Sequence, residues 1–288
     1  MGLKGLMGRG RPVITLESRP HPPASGPGPL GPRHSALIRR VDAIVFTALR
    51  DSAPGTPYGP TGESAEGALR AKREFGIEAI PTVTCRDYPR SDGFELFSRL
   101  RGGGIDAVLV VWGDPSSDPR RDLYDYRATW ELIGELRAWE RARGVRPFEV
   151  AVQANPTAED IEGELERLRR KRESGASMAF TQPEFDAERG LRFLDRLEAE
   201  GLGLKVMMGL LAMKGPGSPA ALEARLGIRI PASVKERMAK GGPGEGVRIA
   251  LELHEAFKGR VEGFHVYSYG GPDALAALLA GIGAGGPD

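Results

Sequence analysis

The sequence predicts an α/β protein built as a single (βα)8 TIM barrel, and three observations carry that expectation. Eight short apolar or β-branched runs recur along the chain, most of them closing on a polar residue. Most are followed by a segment with apolar residues at three-to-four spacing, the signature of a helix that buries one face. Such alternation calls for parallel strands joined by right-handed crossovers. Eight units in roughly 270 residues close a barrel, whereas an open doubly wound sheet normally has fewer strands or more chain.

The runs, in order, are 13–16 closing at Glu17, 43–46 closing at Thr47, 80–84 closing at Cys85, and 107–112 closing at Gly113-Asp114. They continue with 150–152 closing at Gln153-Ala154-Asn155, 178–180 closing at Thr181-Gln182, then 204–208 and 263–267. Helical spacing covers 64–75 with Ser64 as N-cap, 93–101, 121–143, 157–174 and 187–200. Region 217–258 divides into two or three helices at Pro231 and Gly241-Gly242-Pro243. Thr157 stands before Glu159, Asp160 and Glu162, a capping hydroxyl followed by the acidic turn that a helix N-terminus prefers. Gly102-Gly103-Gly104 and Gly175 supply stops before strands four and six. Residues 18–32 are too rich in proline and glycine for a helix and read as a mobile loop after strand one. The barrel is expected over 13–284, with 1–12 as an N-terminal extension.

Composition narrows the function classes. With 40 Lys+Arg against 39 Asp+Glu and a net charge of +1, no sign-biased field favours nucleic acid or an acidic membrane as partner. No uncharged run approaches the ~18 apolar residues of a membrane span. The start lacks a secretory pattern, so a cytoplasmic protein is expected. One cysteine excludes an intramolecular disulfide and a cysteine zinc site, and the four histidines lack metal-ligand spacing, so no metal is expected. Only Asn155, Gln153 and Gln182 carry side-chain amides, a depletion found in thermophiles. Amides that survive such depletion mark positions where nothing else serves.

Barrels of this class place their chemistry at the C-terminal rim of the strands. The rim roster is Glu17, Thr47, Thr84, Asp87, Asp114, Gln153, Asn155, Gln182 and Tyr267, and it holds all three amides. Two carboxylates facing one cavity suggest divided roles, one kept protonated by burial as an acid and one ionised and hydrogen-bonded. Glu17 closes an apolar strand, which favours desolvation. Asp114 follows Gly113, whose missing side chain lets a ligand approach the backbone. The plain alternatives are a rim ion pair of Glu17 with Arg19 or Arg39, and Asp114 as a turn cap before Pro115. Other signals carry less. The glycines of 281–286 mimic a dinucleotide fingerprint but have no strand before them and no helix after them. The basic run 167–172 reads as a solvated helix face, with the alternative that one or two members turn inward toward a phosphate. His265 reads as a packed barrel residue, and Cys85 as a small rim-packing one.

Taken together the rim motifs resemble the methylenetetrahydrofolate reductase family, distantly but over most of the chain. The most specific segment is 168–186, which is similar to the family's L-x-x-K-x-x-A-G-A stretch running into T-Q-x-x-F-D. Thr15-Leu16-Glu17 resembles the family's strand-one glutamate, and Val83-Thr84-Cys85 its L-T-C. Trp112-Gly113-Asp114-Pro115 is similar to R-G-D-x-P, Phe264-His265-Val266-Tyr267-Ser268 to F-H-F-Y-T, and Arg229-Ile230-Pro231 to the segment after strand seven.

The resemblance implies a flavoprotein oxidoreductase that reduces a methylene-pterin to its 5-methyl form, by hydride transfer from NAD(P)H through FAD. By matching position Glu17 is the general acid, and Asp114 and Gln182 bind substrate. Gln182 would serve pterin and nicotinamide in turn. Thr47, Gly113, Asp114, Gln153, Glu164, Arg170 and Lys171 are the implied cofactor-binding residues. The departures fall on the flavin side: Thr82 stands for the family's histidine before L-T-C, and Trp112 for the arginine of R-G-D. The strand-five tyrosine is replaced, and strand eight ends Tyr269-Gly270-Gly271 instead of L-N-R. Two further readings stay open: a flavin-free pterin-binding barrel serving as a partner subunit, and a pterin-dependent methyltransferase. A homo-oligomer is compatible with any of them.

Overall fold

The computed structural model describes residues 3–8, 10–20, 37–52 and 55–283. Within them eight parallel strands close on themselves in chain order. They are β1 (Val13–Ser18), β2 (Ala43–Phe46), β3 (Glu78–Thr84), β4 (Ala107–Val111), β5 (Glu149–Ala154), β6 (Met178–Pro183), β7 (Lys205–Leu210) and β8 (Gly263–Val266). The chain belongs to the TIM-barrel class that the alternation predicts. The helices are α1 (Leu3–Leu6), α2 (Gly59–Phe75), α3 (Glu95–Gly102), α4 (Thr129–Arg143), α5 (Ile161–Glu173), α6 (Ala187–Ala199), α7 (Ser218–Leu226), α8 (Ala232–Lys240), α9 (Glu245–Phe257) and α10 (Pro272–Gly281).

Register decides which residues face the barrel axis, because side chains alternate along a strand. Thr15 lies opposite Ala43 on one side and His265 on the other. Leu109 lies opposite Thr82 and Ala151, and Phe180 opposite Gln153 and Met207. The interior therefore splits by height. Its lower part is apolar and filled by Val13, Ala43, Ala107, Met178 and Met207, against which Leu3 and Leu6 of α1 pack. The segment before β1 thus plugs the N-terminal end of the barrel. Higher up, threonines and His265 replace hydrocarbon, and Glu17, Thr84 and Gln153 follow at the rim. The outer faces of the strands meet the helices in a second, larger core that runs through Leu16, Phe46, Val110, Leu136 and Phe264.

Several local expectations change in three dimensions. α2 begins at Gly59, so Ser64 is buried mid-helix: its hydroxyl donates to Phe46 O at 2.7 Å and accepts from Thr82 N at 2.8 Å. Arg121 ends a short 3-10 turn, Pro119–Arg121, and residues 122–128 are not helical. Tyr124 adopts φ +47°, and Leu123 N donates to Arg86 O at 2.8 Å, which holds this stretch over the mouth instead. Asp160 caps α5 by accepting from Gly163 N at 2.9 Å, while Thr157 is held in a turn by Asn155. α5 does stop ahead of Gly175, whose φ of +116° suits glycine. The region 217–258 resolves into α7, α8 and α9. Most of the proline-rich loop after β1, residues 21–36, and the last residues of the glycine-rich tail, 284–288, lie outside the described residues.

Candidate active site

Two cavities open at the C-terminal mouth. The smaller, about 270 Å³, lies over β1–β4 and β8, with Glu17, Thr47, Thr82, Arg86, Asp114, Phe180, His265 and Tyr267 among its lining residues. Glu17 is 8% exposed and, among the described residues, makes no ion pair with Arg19 or Arg39. Its hydrogen-bond partner is Ser268, whose Oγ lies 3.5 Å from Oε1 and whose backbone N–H also donates to the carboxyl. Burial outweighs these donors and the weak fields of Arg19 and Arg225, and pushes the Glu17 carboxyl up from 4.5 to about 7.

The aromatic groups that line this cavity beside Glu17 carry no charge. His265 hydrogen-bonds through Nδ1 to Thr15 Oγ1 at 2.9 Å, and burial drives it down to about 3, so the imidazole is neutral. It packs edge-on against Phe180 and Tyr267, with ring centroids 5.2 and 4.6 Å away. Tyr267 donates its hydroxyl to Thr181 O at 2.9 Å, and burial raises it well above the usual phenol range. Desolvation is thus the largest influence on Glu17, ahead of its Ser268 donors and the fields of Arg19 and Arg225.

Asp114 lines the same cavity but is exposed. Its backbone is fixed from below: Arg86, 1% exposed, donates to Asp114 O at 2.5 Å and to Leu49 O at 2.9 Å. Arg86 also pairs with Asp87 through Nε–Oδ1 at 2.7 Å, so one guanidinium ties the loops after β2, β3 and β4 together. Gly113 has φ +87°, and a Cβ there would lie 2.9 Å from Thr84 Cβ, so only glycine lets the loop press onto β3.

The larger cavity, about 460 Å³, lies over β4–β6 and α5 and is lined by Thr129, Trp130, Asn155, Glu164, Arg167, Lys171 and Gln182, among others. Glu164 accepts from Asn155 N at 2.9 Å and from Arg167 at 2.8 Å. Lys171 donates to Gln153 O at 2.9 Å, and burial pulls its ammonium below the usual lysine range. Gln182 Oε1 is buried with no partner among the described residues.

Val111, Trp112 and Gln153 line both cavities. The Trp112 indole is 44% exposed and stacks on Tyr124 with centroids 4.8 Å apart and planes at 26°. Tyr124 is anchored in turn by its hydroxyl, which donates to Gly113 O at 2.8 Å.

Residues 38–282 match the family model described as Methylenetetrahydrofolate reductase. The chain belongs to that family. The 5,10-methylenetetrahydrofolate reductase of Salmonella typhimurium is 26% identical over 225 residues, 74% of this chain and 72% of the relative. The Escherichia coli enzyme of the same name is 25% identical over 224 residues, with the same coverage. A Schizosaccharomyces pombe relative, Methylenetetrahydrofolate reductase 1, is 19% identical over 237 residues, and only 39% of it is covered. Among solved structures, a Clostridium thermocellum protein that binds two copies of 5-methyl-5,6,7,8-tetrahydrofolic acid shares the fold at TM-score 0.65, with 16% identity and 97% of each chain covered. The family match begins after β1, so Glu17 lies outside it.

Against the family expectation, the mouth brings together Glu17, Thr47, Gly113, Asp114 and Gln153 in the smaller cavity. Glu164, Lys171 and Gln182, with Gln153 again, are grouped in the larger one. Val111, Trp112 and Gln153 are common to both, so Glu17 and Gln182 stand on adjoining parts of the mouth. Arg170 is a correction: it pairs with Glu166 at 2.9 Å, lies 5.3 Å over the Trp130 ring and lines neither cavity. At about 100° per residue it stands ~120° around α5 from Glu164, while Arg167 and Lys171 fall within ~60° of it. The inward members of the basic run are therefore Arg167 and Lys171. Asn155 lines the larger cavity as its place on the rim predicts, and its Oδ1 accepts from Thr157 N and Oγ1 at 2.9 and 2.8 Å and shapes the turn. Sequence reasoning missed Arg86, Tyr124 and Ser268. The spacing of three and seven from Glu164 would have found Arg167, but Arg86 carries no pattern beyond lying beside Asp87.

Proposed function

We propose that this family member reduces a methylene-pterin, 5,10-methylenetetrahydrofolate or an analogue, to the 5-methyl form with NAD(P)H as the source of hydride. The observation that carries the reading is Glu17, a buried carboxyl that makes no ion pair among the described residues and whose acidity burial pushes up to about 7, so that about half of it is protonated at neutrality. Opening the five-membered ring of such a substrate requires a proton on the departing nitrogen, and a neutral carboxyl at the mouth supplies it. The carbon left behind is an electrophilic iminium that accepts hydride. Asp114, at the edge of the same cavity, accepts hydrogen bonds from the pterin ring. The Clostridium thermocellum barrel of this fold binds the methylated product class.

Family membership also implies an FAD. Arg167 and Lys171, on the wall of the larger cavity, would hold its diphosphate, and the flavin when bound would supply the hydride relay between the two substrates. Replacing Glu17 by Gln should abolish formation of the 5-methyl product while leaving pterin binding within a few-fold. Full turnover in Glu17→Gln would overturn the acid assignment.

A further inference from the structure

We infer that the Trp112 indole is the platform on which the isoalloxazine ring of FAD stacks, and that it covers one of that ring's two faces. This rests on the reading above, in which Arg167 and Lys171 hold the diphosphate and Glu17 faces the pterin. Among the described residues Phe75, Trp112 and Leu123 are the large apolar side chains left exposed, and of these Trp112 lines both cavities of the mouth. A large aromatic surface left open in a cleft marks a place for a ligand.

The indole is held ready for a flat partner. Tyr124 stacks on one of its faces, with centroids 4.8 Å apart and planes at 26°. That phenol ring is fixed in turn: its hydroxyl donates to Gly113 O at 2.8 Å, and the N–H of Leu123 beside it donates to Arg86 O at 2.8 Å. The backbone at Tyr124 is left-handed, φ +47°, a conformation that a bulky side chain adopts only where its surroundings enforce it. With one face taken by Tyr124, the 44% exposure of Trp112 belongs to the rest of the indole, on the mouth. Where the family resemblance places an arginine, and with it a charge, this chain presents an aromatic plane.

Position selects the ring that stacks there. FAD is long, with its diphosphate at Arg167 and Lys171 on α5 and a redox ring that has to come within reach of a pterin beside Glu17. Val111, Trp112 and Gln153 are the residues common to both cavities, so a ligand that runs from one to the other passes over them, and Trp112 is the aromatic one. Lys171 donates to Gln153 O at 2.9 Å, which joins the phosphate-holding cation to this stretch of wall. The adenine is on the other side of the diphosphate in the cofactor, so the ring between the diphosphate and Glu17 is the isoalloxazine.

The test reads the flavin optically and needs no turnover. The full chain is titrated with FAD as wild type, Trp112→Phe and Trp112→Leu, and the Kd and the emission of the bound flavin are measured. An indole stacked on an isoalloxazine quenches its fluorescence, which phenylalanine and leucine do not. Wild type should therefore hold a dark flavin. Trp112→Phe keeps a plane and should bind within about twofold of wild type but with brighter emission. Trp112→Leu should be brighter and raise Kd about tenfold, as the loss of one stacked ring does. Equal emission and equal affinity in all three forms overturn the stacking alone, and so does quenching relieved by Trp130→Phe in place of Trp112→Phe. A Trp112→Leu protein with unchanged flavin but a tenfold higher KM for the pterin would put the indole against the pterin and overturn it too. If wild type takes up no FAD, the stacking falls together with the flavin assignment. The reductase reading is judged separately, by whether the same preparation forms 5-methyl product from 5,10-methylenetetrahydrofolate and NAD(P)H.

Discussion

Glu17 makes a stability prediction that does not depend on any assay of turnover. The unfolded chain ionises this carboxyl near 4.5 and the folded chain near 7, so between those values the unfolded state sheds its proton first and is favoured. The contribution to stability is full below pH 4.5 and falls as pH rises through 7. At ~1.36 kcal/mol per tenfold change in acidity, the gap between 4.5 and about 7 amounts to about 3 kcal/mol lost by pH 8. Glu17→Gln keeps the shape and hydrogen-bonding capacity but removes the ionisation. Wild type and variant should therefore melt within a degree or two of each other at pH 4.5, and the variant should be the more stable by about 3 kcal/mol at pH 8. For 288 residues the unfolding entropy is about 0.6 kcal/mol per kelvin, which turns that difference into a melting shift of about 5 °C. Differential scanning calorimetry of both proteins from pH 4.5 to 8 measures it. A melting difference that stays flat across the range, or that favours wild type at pH 8, would refute the claim that burial governs this carboxyl.

The same ionisation sets the alkaline limb of activity: turnover should decline as pH rises past about 7, where the acid loses its proton, and a rate that still climbs at pH 9 would contradict it. Arg86→Met strands the buried Asp87 carboxylate and frees the carbonyls of Leu49 and Asp114; urea unfolding should show a loss of about 3–5 kcal/mol, and a loss under 1 kcal/mol would deny that the guanidinium ties the loops. Lys171→Gln should raise the Kd for added FAD about tenfold while Arg170→Gln leaves it within twofold, since of the two only Lys171 lines the larger cavity; a flavin-fluorescence titration with equal effects from both would reverse that placement.

The barrel was legible because its signals are local. Each strand needed only a few β-branched or apolar residues in a row, and the helices between them were periodic enough to show. What the pattern misjudged were residues whose role is set by a distant partner. Ser64 looks like a helix cap, yet it bonds Phe46 and Thr82 on neighbouring strands. Residues 121–128 have helical spacing, yet an anchor on Arg86 O and the left-handed turn at Tyr124 draw them across the mouth. At the site, rim position followed directly from strand ends, so Thr47, Asp114, Gln153 and Gln182 all fall on cavity walls. The stacking of Trp112 on a tyrosine twelve positions along did not follow, because no spacing rule encodes that contact.

The amino-acid order by itself determined a closed eight-stranded barrel, its rim, and the presence there of an acid and two amides. Hydrophobic periodicity and the alternation of strand side chains fix those features within a dozen residues at a time. Only the tertiary structure decided that burial pushes the Glu17 carboxyl up to about 7, that Arg167 and not Arg170 lines the mouth, and that Gln182 Oε1 is buried without a partner among the described residues. A carboxyl's proton affinity is set by everything that excludes water from it. For Glu17 those groups come from β6 and β8 and from Ser268, more than 150 residues away in the chain and a few ångströms away in space.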